Sequence, residues 1–205
     1  MSNSYTNCKK DGYMKCKKDD CLKHKKDKKD RSKSKCPKKA EEELRLTCFT
    51  RGRTFDLLGR TGETLELASV NVDLKGLISA IIKLDFSITI EYAAETDNLD
   101  NVEELDLDLE FILTRTCEDG IEQELERYSF VRDFNVGEFL GTITLIPRTT
   151  DPTSFTFCDS INACKVGCCI YTMKVLVSNV EDNTVTTANV GPSFMNAVTQ
   201  GVKDC

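Results

Sequence analysis

The chain has 205 residues, 40% of them hydrophobic and 30% charged, which is enough apolar material for one core and fits one large domain or a domain with a tail. Its net charge of -6 hides two unlike parts: residues 1–39 hold 14 Lys and 1 Arg against 5 Asp, net +10, while residues 40–205 are net -16. No run of 18 apolar residues exists, which excludes a membrane-spanning helix.

In chain order, the first element is a tail. "KHKKDKKDRSKSK" cannot bury enough surface to fold alone, so residues 1–43 read as a flexible basic N-terminal arm. The start, "MSNSYTNCKKDGYMKCKK", has no apolar core of a signal peptide. The arm carries four thiols, Cys8, Cys16, Cys21 and Cys36, and "AEEE" then flips the charge.

From Leu44 onward the pattern is β, and residues 44–205 read as one sandwich. "LRLTCFT" alternates, with Leu44, Leu46 and Cys48 on one side. "TLELASVNVDL" and "AIIKLDFSITIEYAA" continue the pattern. "ELDLDLEFILTRTC" is the clearest strand: Leu105, Leu107, Leu109, Phe111 and Leu113 share one face, and Asp106, Asp108 and Glu110 share the wet one. "EDGIEQELER" reads as a hairpin around Asp119-Gly120 in preference to a short helix, and "LKGLISA" could form a helical turn. "ELERYSFVRDF", "FLGTITLIP", "TSFTFC", "CCIYTMKVLVSNV" and "NTVTTANVGPSF" follow as further strands. Turn signals fall at Arg60-Thr61-Gly62, Asp97-Asn98, Asp119-Gly120, Asn135 to Gly137, Asp151-Pro152 and Asp182-Asn183. About eight strands at this spacing imply an all-β, jelly-roll-like antiparallel sandwich behind an extended basic arm.

The chemistry-bearing residues do not compose an enzyme. The single histidine, His24, lies in the arm between Lys23 and Lys25, where no nucleophile can be oriented against it. No phosphate-binding glycine loop occurs. Neither a catalytic residue nor a cofactor is expected. Nucleic acid is disfavoured as a partner: the arm has few aromatics, and the acidic body repels phosphate.

The eleven cysteines are the informative residues. Cys158-x5-Cys164-x3-Cys168-Cys169 is dense, but its spacing lacks the paired knuckles of a zinc site. In a strand, Cys168 and Cys169 point to opposite faces, so one sulfur turns to the core and the other outward. Metal binding by this cluster, disulfides within the body and burial of single cysteines such as Cys48 or Cys117 as small hydrophobes all remain open. The arm thiols are natural partners for body thiols on a neighbouring copy. That makes Cys8, Cys16, Cys21 and Cys36 on the arm, with Cys48, Cys117, Cys158, Cys164, Cys168 and Cys169 on the body, the candidate inter-subunit disulfide set. Cys205 is a further body thiol, and the odd total leaves at least one outside any pair within the chain.

The segment Phe155-Thr156-Phe157-Cys158, Cys164 and the Gly167-Cys168-Cys169 step, with the ending from Asn189 to Gly201, resembles an uncharacterised family of Cys-rich β-proteins from clostridial spore-formers. "FILTRTCEDGIEQELERYSFVRDF" is similar to that family's central hairpin. In architecture the chain looks similar to endospore appendage subunits, although its arm is longer and more basic. The resemblance implies a jelly roll whose N-terminal connector reaches into neighbouring subunits and is held by disulfides. It further implies synthesis in the mother cell without a signal peptide, and oxidation at the spore surface. The expected function is a self-assembling fibre subunit in a head-to-tail helical homopolymer, with no membrane partner. The alternatives are a non-fibrous spore-coat or surface protein with metal-binding thiols, and a thiol-rich regulator that binds nucleic acid through its arm.

Overall fold

The computed structural model describes residues 41–96, 104–135, 144–163, 166–180 and 185–203. Residues 1–40, with Cys8, Cys16, Cys21, Cys36 and His24, lie outside the described residues, as do Cys164, Cys205 and the turns expected at Asp97-Asn98, at Val136-Gly137 and at Asp182-Asn183.

Among the described residues, nine strands form two antiparallel sheets. They are β1 (Glu42–Arg51), β2 (Phe55–Asp56), β3 (Thr64–Asp73), β4 (Leu77–Thr96), β5 (Glu104–Cys117), β6 (Glu122–Asn135), β7 (Thr144–Ile161), β8 (Cys168–Val180) and β9 (Val185–Lys203). The first strand thus begins just before the expected boundary at Leu44. One sheet has the order β1-β9-β4-β7, with β2 also pairing β9; the other has the order β3-β8-β5-β6.

This order has a simple origin. The chain folds back on itself at the β5–β6 hairpin, and the later strands then retrace the earlier ones: β6 on β5, β7 on β4, β8 on β3 and β9 on β1. Rolling that long ribbon brings β4 beside β9 and β5 beside β8, which completes both sheets. The product is a jelly roll, as the alternating sequence implies.

Each strand buries the side that its pattern offers. Ile82, Leu84, Phe86, Ile88 and Ile90 of β4 face Leu107, Leu109, Phe111 and Leu113 of β5 and Val175 and Val177 of β8 across one buried cluster. Full burial of each such side chain contributes about 1.5–3 kcal/mol. Phe86, Phe111, Phe155 and Tyr128 form an aromatic group, with Tyr128 and Phe155 stacked at 4.3 Å. The hairpin at Asp119-Gly120 is as expected: Gly120 has φ 73° and its N–H donates to the Cys117 carbonyl at 2.9 Å. "LKGLISA" forms a turn at Gly76 and then enters β4, and no helix forms there.

One expectation is corrected. Asp151-Pro152 is no turn: β7 runs straight through it, with Pro152 opposite Thr89. Proline is tolerated because β7 is an edge strand with no neighbour on its outer side among the described strands. The leucines of β1 share one side, as the alternation implies, and it is the solvent side: Leu44 and Leu46 are 71% and 72% exposed. Cys48 lies within β1.

Candidate interaction surface and thiol sites

Besides Cys48 in β1, the described body cysteines come from β5, β7 and β8. On the inward side, the pairing of β5 with β8 sets Leu113 opposite Met173, Arg115 opposite Tyr171 and Cys117 opposite Cys169. The core therefore ends in three successive steps: apolar, ion-paired and covalent. Cys117 and Cys169 are bonded within the chain, 4.0 Å apart at Cα and separated by 52 residues in sequence. Of the candidate inter-subunit set, these two sulfurs are consumed by each other. A bond closing a loop of this length contributes about 2–4 kcal/mol against unfolding.

Cys168 points to the other face, as the strand alternation requires, yet it is only 6% exposed. It lies opposite Asp73 at the end of β3, and its thiol donates to Asp73 Oδ1 at 3.7 Å. The expected outward-facing sulfur of the Cys168-Cys169 step is thus covered. Gly167 precedes it with φ 62°, and the Glu118 carboxylate sits where a Cβ would be, 2.4 Å from that point.

Cys158 is different. It lies on the outer side of β7, and its thiol is exposed. Its cross-strand partner is Lys83 of β4, which continues through Val198 of β9 to Leu46 of β1. Among the described residues, no group of three or more His, Cys, Asp or Glu is placed to hold a metal ion.

β7 also carries a device that the sequence reading missed. Asp159 accepts hydrogen bonds from the Tyr171 hydroxyl at 2.7 Å and from the Arg115 guanidinium, whose other nitrogen donates to Gln123 Oε1 at 2.6 Å. Burial, with Asp159 beside it, holds the Tyr171 phenol far above its ordinary range. Burial alone would lower Arg115, but the bond to Asp159 outweighs it and leaves the guanidinium firmly charged.

Eight residues earlier on the same side of β7 the arrangement recurs. Asp151 accepts from the Tyr92 hydroxyl at 3.2 Å and from Arg132 Nε at 3.0 Å, and Arg132 lies 4.5 Å over the Phe130 ring. In each case an aspartate of one sheet holds an arginine of the other. Between the two bridges, Phe155 stacks on Tyr128, and Leu84, Phe86, Leu113, Met173 and Met195 line a small apolar gap with them. No spacing signal could have found these trios, since the partners sit on four different strands.

The opposite edge closes by other means. Gly52 N–H donates to the Ser193 carbonyl at 2.8 Å, and Arg53 N–H crosses to the Leu67 carbonyl of β3 at 3.1 Å. Ser193 Oγ, fully buried, donates to the same Leu67 carbonyl at 3.0 Å. A Cβ on Gly52 would stand 2.1 Å from that carbonyl oxygen, so only glycine allows the two sheets to meet there.

No match appears among the curated proteins. Two solved structures resemble the chain at 11% identity. The first, "Structure of infectious bursal disease virus Gt strain", covers 79% of this chain and 37% of its own, with a TM-score of 0.33. The second, "Structure of infectious bursal disease virus Gx strain", covers 84% and 46%, with a TM-score of 0.26. The chain spans less than half the length of either, and the jelly-roll assignment rests on its strand order alone. A family model does match, over residues 46–200, from within β1 to near the end of β9. The chain therefore belongs to the family described as "Domain of unknown function (DUF4489)".

Proposed function

We propose that the chain is a structural subunit that self-assembles into a disulfide-crosslinked extracellular fibre, a spore-surface appendage, with its N-terminal arm docking into neighbouring copies. The observation that carries this reading is the disposition of the sulfurs. Cys117 and Cys169 close on each other, Cys168 is covered, and Cys158 is held in the open on a long edge strand. A thiol so placed can pair with an arm cysteine of another copy. Two thiols would then lose two protons and two electrons to dissolved oxygen and become one disulfide.

Two further features support assembly. Arm and body carry opposite net charge, +10 and -16, so an arm is drawn to any body it meets. β6 is a 14-residue sheet edge with no proline, and a strand from a neighbour can extend it. Head-to-tail contacts of this kind that do not close on themselves generate a helical filament. In this reading the chain is no enzyme; it is made in the mother cell and oxidises at the spore surface.

The test is electron microscopy of purified full-length protein, with non-reducing gels run beside it. Filaments and a ladder that a reductant collapses are expected, and Cys158→Ser should remove the ladder. Filaments with an unchanged ladder in Cys158→Ser would exclude Cys158 as the acceptor and spare the fibre. A monomer under all oxidising conditions would sink the whole reading. Stoichiometric zinc in protein kept reduced would favour the metal-binding alternative.

A further inference from the structure

β1 is built inside out. An edge strand on a sandwich normally turns its apolar side to the core. Here the inward positions Glu43 and Arg45 lie opposite Gly201 and Thr199, while Leu44 and Leu46 lie on the solvent side opposite Gln200 and Val198. The charged pair is well held. Arg45 donates to the carbonyls of Asp73 and Lys75 at 2.8 and 2.9 Å and to Glu43 at 2.8 Å, and Lys203 approaches Glu43 at 3.4 Å. A slip of one residue would bury the leucines, but it would strand these charges. The register is thus fixed, and it leaves two leucines in solvent.

They are not isolated. Across β9, the rows that begin at Leu44 and Leu46 reach Ile81 and Lys83 of β4. Ile81 is 55% exposed, and Val198 lies between Leu46 and Lys83. The single charge in these two rows, Lys83, is paired with Asp85 at 3.1 Å. The result is a neutral apolar patch, the kind of surface that marks an interaction site.

The outer face of the four-stranded sheet is unlike it. There Glu66, Asp108, Glu110, Glu122 and Glu124 stand against two cations, Arg127 and Lys174. A Lys-rich segment such as residues 1–39 suits that acidic face and has little to offer the leucines. Two copies of a body with net charge -16 repel each other on most approaches. The leucine face, whose one charge in these rows is already paired, is where they meet with least repulsion.

We infer that the outer face of the five-stranded sheet, centred on Leu44, Leu46, Ile81 and Val198, is a self-association surface that pairs two copies face to face. The contact is isologous, the same patch from each copy, with the two sheets stacked as sheets are in a sandwich. It goes beyond the fibre reading, since a closed pair needs neither a filament nor a disulfide.

The test is sedimentation velocity of the full-length chain, kept reduced, over a range of concentrations. A monomer–dimer equilibrium is expected. Leu44→Lys with Leu46→Lys should weaken it at least about tenfold by burying unpaired charge, and Ile170→Lys on the opposite sheet should leave it unchanged. Should the double variant lose its β-sheet circular dichroism, Ile81→Lys on β4, across β9 from the leucines, reads the same surface. Reduced wild type that stays monomeric overturns the inference, as does a folded variant that sediments like wild type. Dimers without filaments in micrographs would leave this surface standing and sink the fibre. Filaments unaltered by the leucine changes, with no dimer, would do the reverse.

Discussion

The two open sides of a sandwich need not be closed alike, and here they differ. Where β1, β2 and β3 meet, backbone crosses to backbone: Arg53 N–H reaches the Leu67 carbonyl, and Gly52 supplies the clearance. Where β6 and β7 meet, side chains span the gap, with an aspartate-held arginine at each end and an aromatic stack between. The first arrangement leaves no room for variation in side chain. The second keeps β6 and β7 apart as two sheet edges, and these are the edges on which a neighbour can build.

The largest expected effect therefore lies at the backbone closure. In Gly52→Ala the new Cβ would meet the Leu67 oxygen at 2.1 Å and Ser193 Oγ at 1.9 Å, and the carbonyl cannot rotate away as a flexible side chain could. A loss of about 3 kcal/mol is expected, at the upper end for overpacking. Urea unfolding monitored by circular dichroism reads it. A loss below about 1 kcal/mol would mean that the edge yields and that the contrast drawn between the two sides is wrong.

At the bridged edge, Arg115→Met removes one of two partners from a largely buried Asp159. The carboxylate keeps the Tyr171 hydroxyl but loses its counter-charge. Breaking a buried ion pair costs roughly 3–5 kcal/mol, and the retained hydrogen bond should bring this down to about 2 kcal/mol. The matching change at the other bridge, Arg132→Met, should cost under about 1 kcal/mol, because Arg132 is 43% exposed. Equal losses at the two sites would show that burial does not grade them.

How much of this was legible follows from the distance over which each feature is decided. β5 declares itself, because alternation from Leu107 to Leu113 is local and one face must be wet. The hairpin at Gly120 is equally local, since positive φ is needed where the chain reverses. Alternation also separated Cys168 from Cys169 correctly. It could not show that Asp73, 95 residues away, covers the outward sulfur. Asp151-Pro152 carries every mark of a turn; it is strand because an edge position spares the missing N–H and because Tyr92, 59 residues back, holds the aspartate. β1 is the sharpest case. Alternation puts its leucines on one side without choosing core or solvent, and solvent wins because the Arg45 fork finds two carbonyls at the β3–β4 turn. The thiol candidates were legible as a set, but their division into bonded, covered and exposed needed the register of β8 on β3 and β5.

The two edges also separate by pH. Tyr171 ionises less readily when folded than the ordinary phenol near pH 10, first because it is buried and then because Asp159 accepts its hydrogen bond. A pKa raised on folding contributes stability that is full below the unfolded value and lost as pH climbs above it. The wild type should thus weaken progressively from about pH 10 upward. Arg115 stays charged across that window, so the change belongs to the phenol. In Tyr171→Phe the hydrogen bond to Asp159 is gone at every pH, which costs about 1–2 kcal/mol at neutrality, and the alkaline slope should be shallower. Some slope should survive, since burial also raises Tyr92 and Tyr128 on the same side of the sandwich. The backbone closure at Gly52 has no titrating group in it, so its contribution should be level over the same range. Denaturation midpoints of wild type and Tyr171→Phe at pH 8, 10 and 11 decide the matter. Parallel curves would mean that the bridge opens to water before the phenol ionises, and that the side-chain edge is looser than its geometry implies.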